Sequence, residues 1–331
     1  MKLVHIGSYF EGENDIVAQM YRSLSALKIH HVTALDPQIY SWKRAMSTRG
    51  GSHSIRYLRN RTLKKALSFS PEAIILNAGR LSLTQKQKSR LARQGVTVVG
   101  IGLSDPDLVN SGIEIARRCD LYYTNARVAL EKYQSAEIEN VKVSLFGIEA
   151  DKNSRLHSDS ETLSDLVLVG GRRPERVELV KYLCQNGLNV ACYGKGWALM
   201  SEENLTTHSE VHGLEYIRAL SSGKAYLSFS QTAAGYFNLK IGALDAMALG
   251  IPVVTEDFPE MREIFKANEE VTLYSTKEEA LVRIRSLVED PVNLVKLGNR
   301  GQDRVFADHT WTSRWSQILQ DIQDFKKGRN R

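Results

Sequence analysis

The stretch NLKIGALDAMALGIPVV, Asn238 to Val254, decides how the rest of the chain is read. One cation, Lys240, and one carboxylate, Asp245, stand in an otherwise small and apolar run. Asn238 suits an N-cap, Gly250 suits a C-terminal stop, and the β-branched residues after it suit a buried strand. The pattern therefore predicts a helix over Leu239–Leu249 that feeds straight into a strand. Gly242, Ala243, Ala246 and Ala248 would let that helix lie close to its neighbours. Its positively polarised start, with Lys240 beside it, is the kind of place where phosphate groups bind. Asp245 lies about 140° round the helix axis from Lys240, so the two cannot touch one small ligand from the same face.

Outward from this stretch, short apolar runs alternate with helical patterns. KLVHIGSYF, HHVTALD, EAIILNAG, GVTVVGIGL, DLYYTN and VKVSLFGI read as strands in the first half. DLVLVGG, LNVACYG, KAYLSFS and EVTLYS do so in the second. Strands separated by helices, with few hairpin turns, imply parallel sheets covered on both faces. DKNSRLHSDSETLSD, from Asp151 to Asp165, is polar and without pattern. The expected organisation is an α/β chain of two Rossmann-like domains facing each other across a cleft. Residues 1–152 form the first, 153–165 a linker and 166–305 the second, with 306–331 a helix returning towards the first.

A chain of 331 residues has room for two such domains of about 150 residues each. No apolar run approaches the roughly 20 residues needed to span a bilayer, and the N-terminus lacks the form of a signal peptide. Cys119, Cys184 and Cys192 show no metal-ligand spacing. A cytoplasmic setting is expected, with a peripheral position at the inner face of a membrane left open. The net charge of +6 is local. No acid occurs between Asp36 and Glu72, where Lys43, Arg44, Arg49, Arg56, Arg59, Arg61, Lys64 and Lys65 cluster. This segment reads either as a solvated helix face or as a patch for an anionic acceptor such as nucleic acid or a membrane surface.

Four loops of the second half follow strands and carry features that suit one ligand. In DLVLVGGRRPERVEL, Gly170 and Gly171 permit close approach, Arg172 and Arg173 bring charge, and a helix opens near Pro174. NVACYGKGW supplies Tyr193, Gly194 and Trp197, which suit a nucleobase or a packed turn. EVHGLEYIRAL supplies Gly213 and Tyr216. The fourth is SQTAAGYFNLK, which leads into Asn238, Leu239 and Lys240.

These pieces, together with VHGLEYIRALSSGKAYLSFS, EVTLYSTKEEALVRIRSLVEDP and LGNRGQDRVFADHTWTSRWSQIL, resemble the donor domain of GT-B glycosyltransferases of family 4. The likeness is nearest to the branch of CgeB-like spore-maturation proteins, and it extends more loosely to SDPDLVNSGIEIARRCDLYYTNARVALEKY. It covers about residues 100–320. The resemblance implies transfer of a sugar from a nucleoside-diphosphate sugar, a UDP-sugar first of all, with no cofactor and no stable protein partner. It implies that Gly171 with Arg172 or Arg176 faces the donor phosphates and that Tyr193 and Gly194 border the base. Asp245 stands where the family has a glutamate for the ribose. Phe237 stands where the family has an earlier glutamate, so Lys240 becomes the candidate for charge beside the transferred group.

An acceptor-side base would come from the first domain, at strand ends near Gly7. Glu11, Glu13, Asp105 and Asp107 are the candidates, with Asp105 preferred because it follows an apolar strand directly; a helix-capping role is the alternative. Asp105-Pro106-Asp107 also matches a metal-binding D-x-D, but its distance in sequence from the nucleotide loops argues against a metal, and none is expected. His309 is expected to pack against the returning helix. Two other readings stay open: a sugar-nucleotide epimerase on the same fold, and an inactive scaffold that binds nucleotide sugars.

Overall fold

Strands form where β-branched and apolar residues run together between helices, and each is buried in proportion to its apolar length. In the computed structural model, residues 1–7, 16–27, 31–35, 52–77, 83–149 and 164–329 are described. The chain divides into two units, Met1–Glu149 with Trp311–Arg331, and Ala150–Thr310.

The first unit holds β1 (Lys2–Ile6), α1 (Ile16–Ala26), β2 (His31–Leu35), α2 (Ser52–Leu67), β3 (Ala73–Leu76), α3 (Gln85–Arg93), β4 (Thr97–Ile101), α4 (Val109–Ala116), β5 (Leu121–Thr124), α5 (Leu130–Ser135) and β6 (Val141–Val143). Its sheet runs β2-β1-β3-β4-β5-β6, all parallel. The strands β3, β4 and β5 are buried end to end, as parallel strands covered on both faces must be. Val4, Ile74, Val98, Leu91, Ala116 and Tyr133 share the core. Of the basic segment Lys43–Lys65, residues 43–51 lie outside the described residues. Its end falls in α2, where Lys64 and Lys65 are exposed above buried Leu63 and Ala66.

The second unit holds β7 (Ser164–Val169), α6 (Pro174–Gln185), β8 (Val190–Tyr193), β9 (Leu205–His208), α7 (Gly213–Leu220), β10 (Gly223–Leu227), α8 (Ile241–Ala248), β11 (Val253–Glu256), α9 (Pro259–Ile264), β12 (Thr272–Tyr274), α10 (Lys277–Val288) and α11 (Pro291–Asp308). Its parallel sheet runs β12-β11-β10-β7-β8-β9. The order reverses between β7 and β10, where two successive crossovers diverge and leave a crevice at the strand ends. The stop after α8 is built by packing: Gly298 of α11 has no room for a side chain, since a Cβ there would lie 2.0 Å from the Gly250 carbonyl oxygen. Gln302 of the same helix donates to the Ala248 carbonyl at 2.8 Å, which supplies a partner for a helix-end acceptor.

The last helix, α12 (Trp311–Arg329), belongs to the first unit. Trp315 is fully buried and its Nε1 donates to the Met20 carbonyl of α1 at 2.8 Å. Asp321 accepts from Tyr123 Oη at 2.7 Å and pairs with Lys142 at 2.8 Å. The Trp311 amide donates to the Ile148 carbonyl at 2.8 Å.

Two boundaries differ from expectation. Ser164 and Asp165 already belong to β7, because the Asp165 amide joins the sheet through Asn189; most of the expected linker lies outside the described residues. The expected break at 305/306 falls inside α11, which stays with the second unit through Asp308. The ring of His309 lies 5.1 Å from that of Phe265. The strand β9 has no counterpart in the sequence reading. It is an edge strand whose residues are alternately half-buried and exposed, so it lacks the apolar run that marks the others.

Candidate functional site

At the crevice end of the second sheet, the loop after β7 turns through Gly170, whose φ of +151° is a glycine conformation. The Gly170 amide donates to the Tyr193 carbonyl at 2.8 Å, and its carbonyl accepts from Trp197 Nε1 at 2.8 Å. The loop after β8 is pinned against it. A Cβ on Gly194 would lie 2.5 Å from the Gly170 oxygen, so Gly194 is required by loop-on-loop packing and needs no nucleobase to explain it. Tyr193 stacks on His208, centroids 4.2 Å apart, and its hydroxyl meets Ser222 at 3.3 Å. One face of the ring expected at the base is therefore already covered.

The cations of this region separate into two groups. Arg173 donates to the Gln231 carbonyl and pairs with Glu175, both at 2.9 Å. Arg176 folds back: its Nη1 donates to the Gly171 carbonyl at 2.8 Å and its guanidinium lies 5.6 Å over the Phe229 ring. Burial, helped by the nearby Arg173 charge, holds Arg176 below the ordinary arginine pKa. Arg172 is different. Its amide is fixed to the Lys195 carbonyl at 2.9 Å, and both residues are exposed. Among the described residues neither side chain makes an ion pair. The sequence reading gave Lys195 no binding role, although the YGKGW turn offered it beside two glycines.

The start of α8 corrects the expected helix. Asn238 is not its N-cap and Leu239 is not its first residue. Both are buried, with the Asn238 amide bonded to the Ser230 carbonyl at 3.2 Å and the Leu239 amide to Glu260 Oε1 at 3.2 Å. The Glu260 carboxylate at the head of α9 keeps the segment extended, so the helix opens at Ile241 with Lys240 in the N-cap position. Lys240 Nζ donates to the Asn238 side chain, which holds the ammonium at the helix start.

Asp245 lies on the side of α8 that faces α7. Its Oδ2 accepts from Tyr216 Oη at 2.9 Å. Gly242 makes room for Tyr226 of β10, for a Cβ there would lie 2.7 Å from Tyr226 Oη. Gly213 supplies the φ of +58° at the first position of α7. No cation lies within ion-pair distance of Asp245 among the described residues. Burial therefore raises its carboxyl to about 6, against the opposing hydrogen bond from Tyr216. The native state holds this proton more tightly than the unfolded chain does. The resulting stability is full below the ordinary value of 3.8 and is lost as pH rises through about 6. Asp245→Asn is expected to remove that slope and to be more stable than the parent at pH 7.5 by on the order of 2 kcal/mol. Urea unfolding at pH 4.5 and 7.5 checks this: a gap between the two proteins that does not widen with pH would refute it.

In the first unit, Gly7 is buried directly after β1, and Glu11 and Glu13 lie outside the described residues. Asp105 is buried and already engaged. Its Oδ2 accepts from Thr124 Oγ1 and Tyr133 Oη, each at 2.7 Å, and its amide donates to Asn125 at 3.0 Å. This makes it a clamp between β5, α5 and the turn before α4. It also borders a cavity of about 340 Å³ with Asn77, Ser104 and Tyr122. Asp107 is exposed on the turn. Among the described residues no cluster of His, Cys, Asp and Glu is placed to hold a metal, and no helix is long and apolar enough to cross a membrane.

Residues 172–320 match the model of a family described as glycosyl transferase-like. No curated protein matches the sequence. Among solved structures, the catalytic domain of starch synthase IV from Arabidopsis thaliana, bound to ADP and acarbose, is similar with a TM-score of 0.70. It is 10% identical over 99% of this chain and 99% of that one. Sucrose-phosphate synthase from Thermosynechococcus elongatus is similar with a TM-score of 0.66 at 14% identity, over 99% and 100% of the two chains. Anabaena HepE in complex with UDP-glucose gives 0.65 at 12% identity, over 98% and 100%. With its two parallel-sheet α/β units, this chain has the fold of the GT-B glycosyltransferases.

Proposed function

We propose that the chain is a glycosyltransferase that moves a hexose-type sugar from a nucleoside-diphosphate sugar, a UDP-sugar first of all, to an acceptor. The observation that carries the reading is the crevice between β7 and β10. Beside it, on the loops after β7 and β8, the exposed pair Arg172 and Lys195 stands next to the Gly170–Gly171 turn, both residues within the stretch that matches the transferase-like family. Arg172, Lys195 and the Lys240 ammonium at the start of α8 would offset the charge of the leaving diphosphate in place of a metal. Arg172 is preferred to Arg176, whose guanidinium is spent on Gly171 and Phe229. Asp245 would accept from a ribose hydroxyl, held in place by Tyr216. The CgeB-like branch is the closest relation that we propose. Lys64 and Lys65 on α2 would favour an anionic acceptor, and a cytoplasmic site of action fits these substrates.

The test is a panel of nucleotide sugars incubated with the protein, with released nucleoside diphosphate read by mass spectrometry. Release that depends on one donor class and rises with acceptor extract is the expected result. A new sugar nucleotide formed with no acceptor would mark an epimerase instead. Absence of both release and thermal stabilisation by every nucleotide at millimolar concentration would overturn the reading.

A further inference from the structure

A second cavity, of about 350 Å³, opens at the ends of β10, β11 and β12, lined in part by Phe229, Gln231, Phe237, Glu256, Tyr274 and Lys277. Its size is within the roughly 300–1,000 Å³ of small-molecule sites. It adjoins the crevice loops, because Arg173 after β7 ties down the Gln231 carbonyl and Gln231 bridges to Phe237.

Its charges are unevenly settled. Glu175 is paired with Arg173 at 2.9 Å, and Glu178 with Lys277 at 3.2 Å. Lys277 also lies 5.4 Å over the Tyr182 ring, so this ammonium is already committed. Glu256 has no such partner. Its Oε2 takes the Ser230 amide at 2.7 Å and the Thr255 hydroxyl at 3.0 Å, both neutral donors. Burial holds its carboxyl above the ordinary glutamate value.

Tyr274 is the register partner of Glu256 across β11 and β12, so the two side chains leave the same face of the sheet. Tyr274 is only 6% exposed, and its hydroxyl has no hydrogen-bond partner among the described residues. Leaving such a group unmet costs about 1–3 kcal/mol, which argues for a ligand that completes it. Two aromatic rings, an uncompensated carboxylate, a free phenol and an amide are the chemistry that recognises a polyhydroxylated ring.

We propose that this cavity receives the transferred sugar and selects an uncharged, hydroxyl-rich ring over an acidic one. Tyr274 donates to a sugar hydroxyl, Glu256 accepts from one, and Phe229 and Phe237 cover the C–H face. A uronic acid is disfavoured because its carboxylate would meet the Glu256 carboxylate, while the nearby cations, Arg176 and Lys277, are engaged by the Gly171 carbonyl and Glu178. This assignment rests on the donor reading above and adds the substrate class to it.

Calorimetry separates the two. UDP, GDP and ADP are titrated alone and as UDP-glucose, GDP-mannose and ADP-glucose, with UDP-glucuronate as the acidic probe. The affinity of each sugar conjugate is expressed relative to its own diphosphate. Tyr274→Phe is expected to lower that ratio about 3–10-fold, and Glu256→Gln about tenfold or more, with diphosphate affinity unchanged. Because Tyr274→Phe removes only an unmet hydroxyl, its Tm should stay equal or rise. A higher Tm with an unchanged ratio would make the hydroxyl a packing defect and overturn the assignment. UDP-glucuronate bound as well as UDP-glucose would overturn it too. Both of those outcomes leave the donor reading standing, whereas a protein that binds no nucleotide removes both.

Discussion

Lys240→Ala is expected to lower kcat by about 10²–10³-fold, the usual loss on removing one preorganised group that meets developing charge. The ammonium is half-buried at the N-cap position of α8 and is anchored by the side chain of Asn238. Asn238 is itself buried and fixed through its amide to Ser230. The charge therefore needs little reorganisation when the bond to the diphosphate breaks. It also adds to the first-turn amides of α8, which carry their own partial positive charge. The fold should notice the change far less. One half-buried hydrogen bond is worth about 1 kcal/mol, or about 2–4 °C in Tm for a domain of this size. Steady-state kinetics beside a melting curve decide the matter. A fall in Tm large enough to account for the lost turnover would return Lys240 to a structural role.

Trp315→Ala is expected to destabilise the first unit by about 3–5 kcal/mol through the cavity alone, with about 1–3 kcal/mol more for the Met20 carbonyl left without its donor. The indole is fully buried and meets His5 edge-on, centroids 6.0 Å apart. His5 is in turn buried, bonded to Asn77 at 2.5 Å, and pushed down to about 4 by its burial. Such a loss is a large part of the 5–15 kcal/mol that holds an ordinary domain together. Denaturant unfolding should show an early transition assigned to this unit, with Trp315→Phe intermediate because it keeps most of the ring. A single unshifted transition in Trp315→Ala would show that α12 contributes little.

Strand and helix alternation made the fold class readable, because β3 and β4 are buried over their whole length and β11 over its first three residues. Where the outcome depended on a partner distant in sequence, the reading slipped. The residue that delays α8 is Glu260, beyond the next strand. The partners of Asp105, Thr124 and Tyr133, lie 19 and 28 residues further on, beyond the reach of a local motif. The glycines were noticed, but the packing of Gly194 against the Gly170 oxygen, 24 residues away, was not legible. Asp245 was identified, yet its elevated proton affinity comes from burial in the assembled unit, which no local motif announces. Glu256 and Tyr274 carried no motif. Only the register of β11 and β12 sets them side by side.

Because α12 completes the first unit after the second has been threaded between its parts, the order of synthesis and the order of assembly differ. The ribosome delivers the whole of the second unit before the indole that seals α1 emerges, so the second unit can mature while the first still waits for its final piece. Cutting the gene at the junction near residue 150 would accordingly yield an amino-terminal fragment that lacks its own keystone.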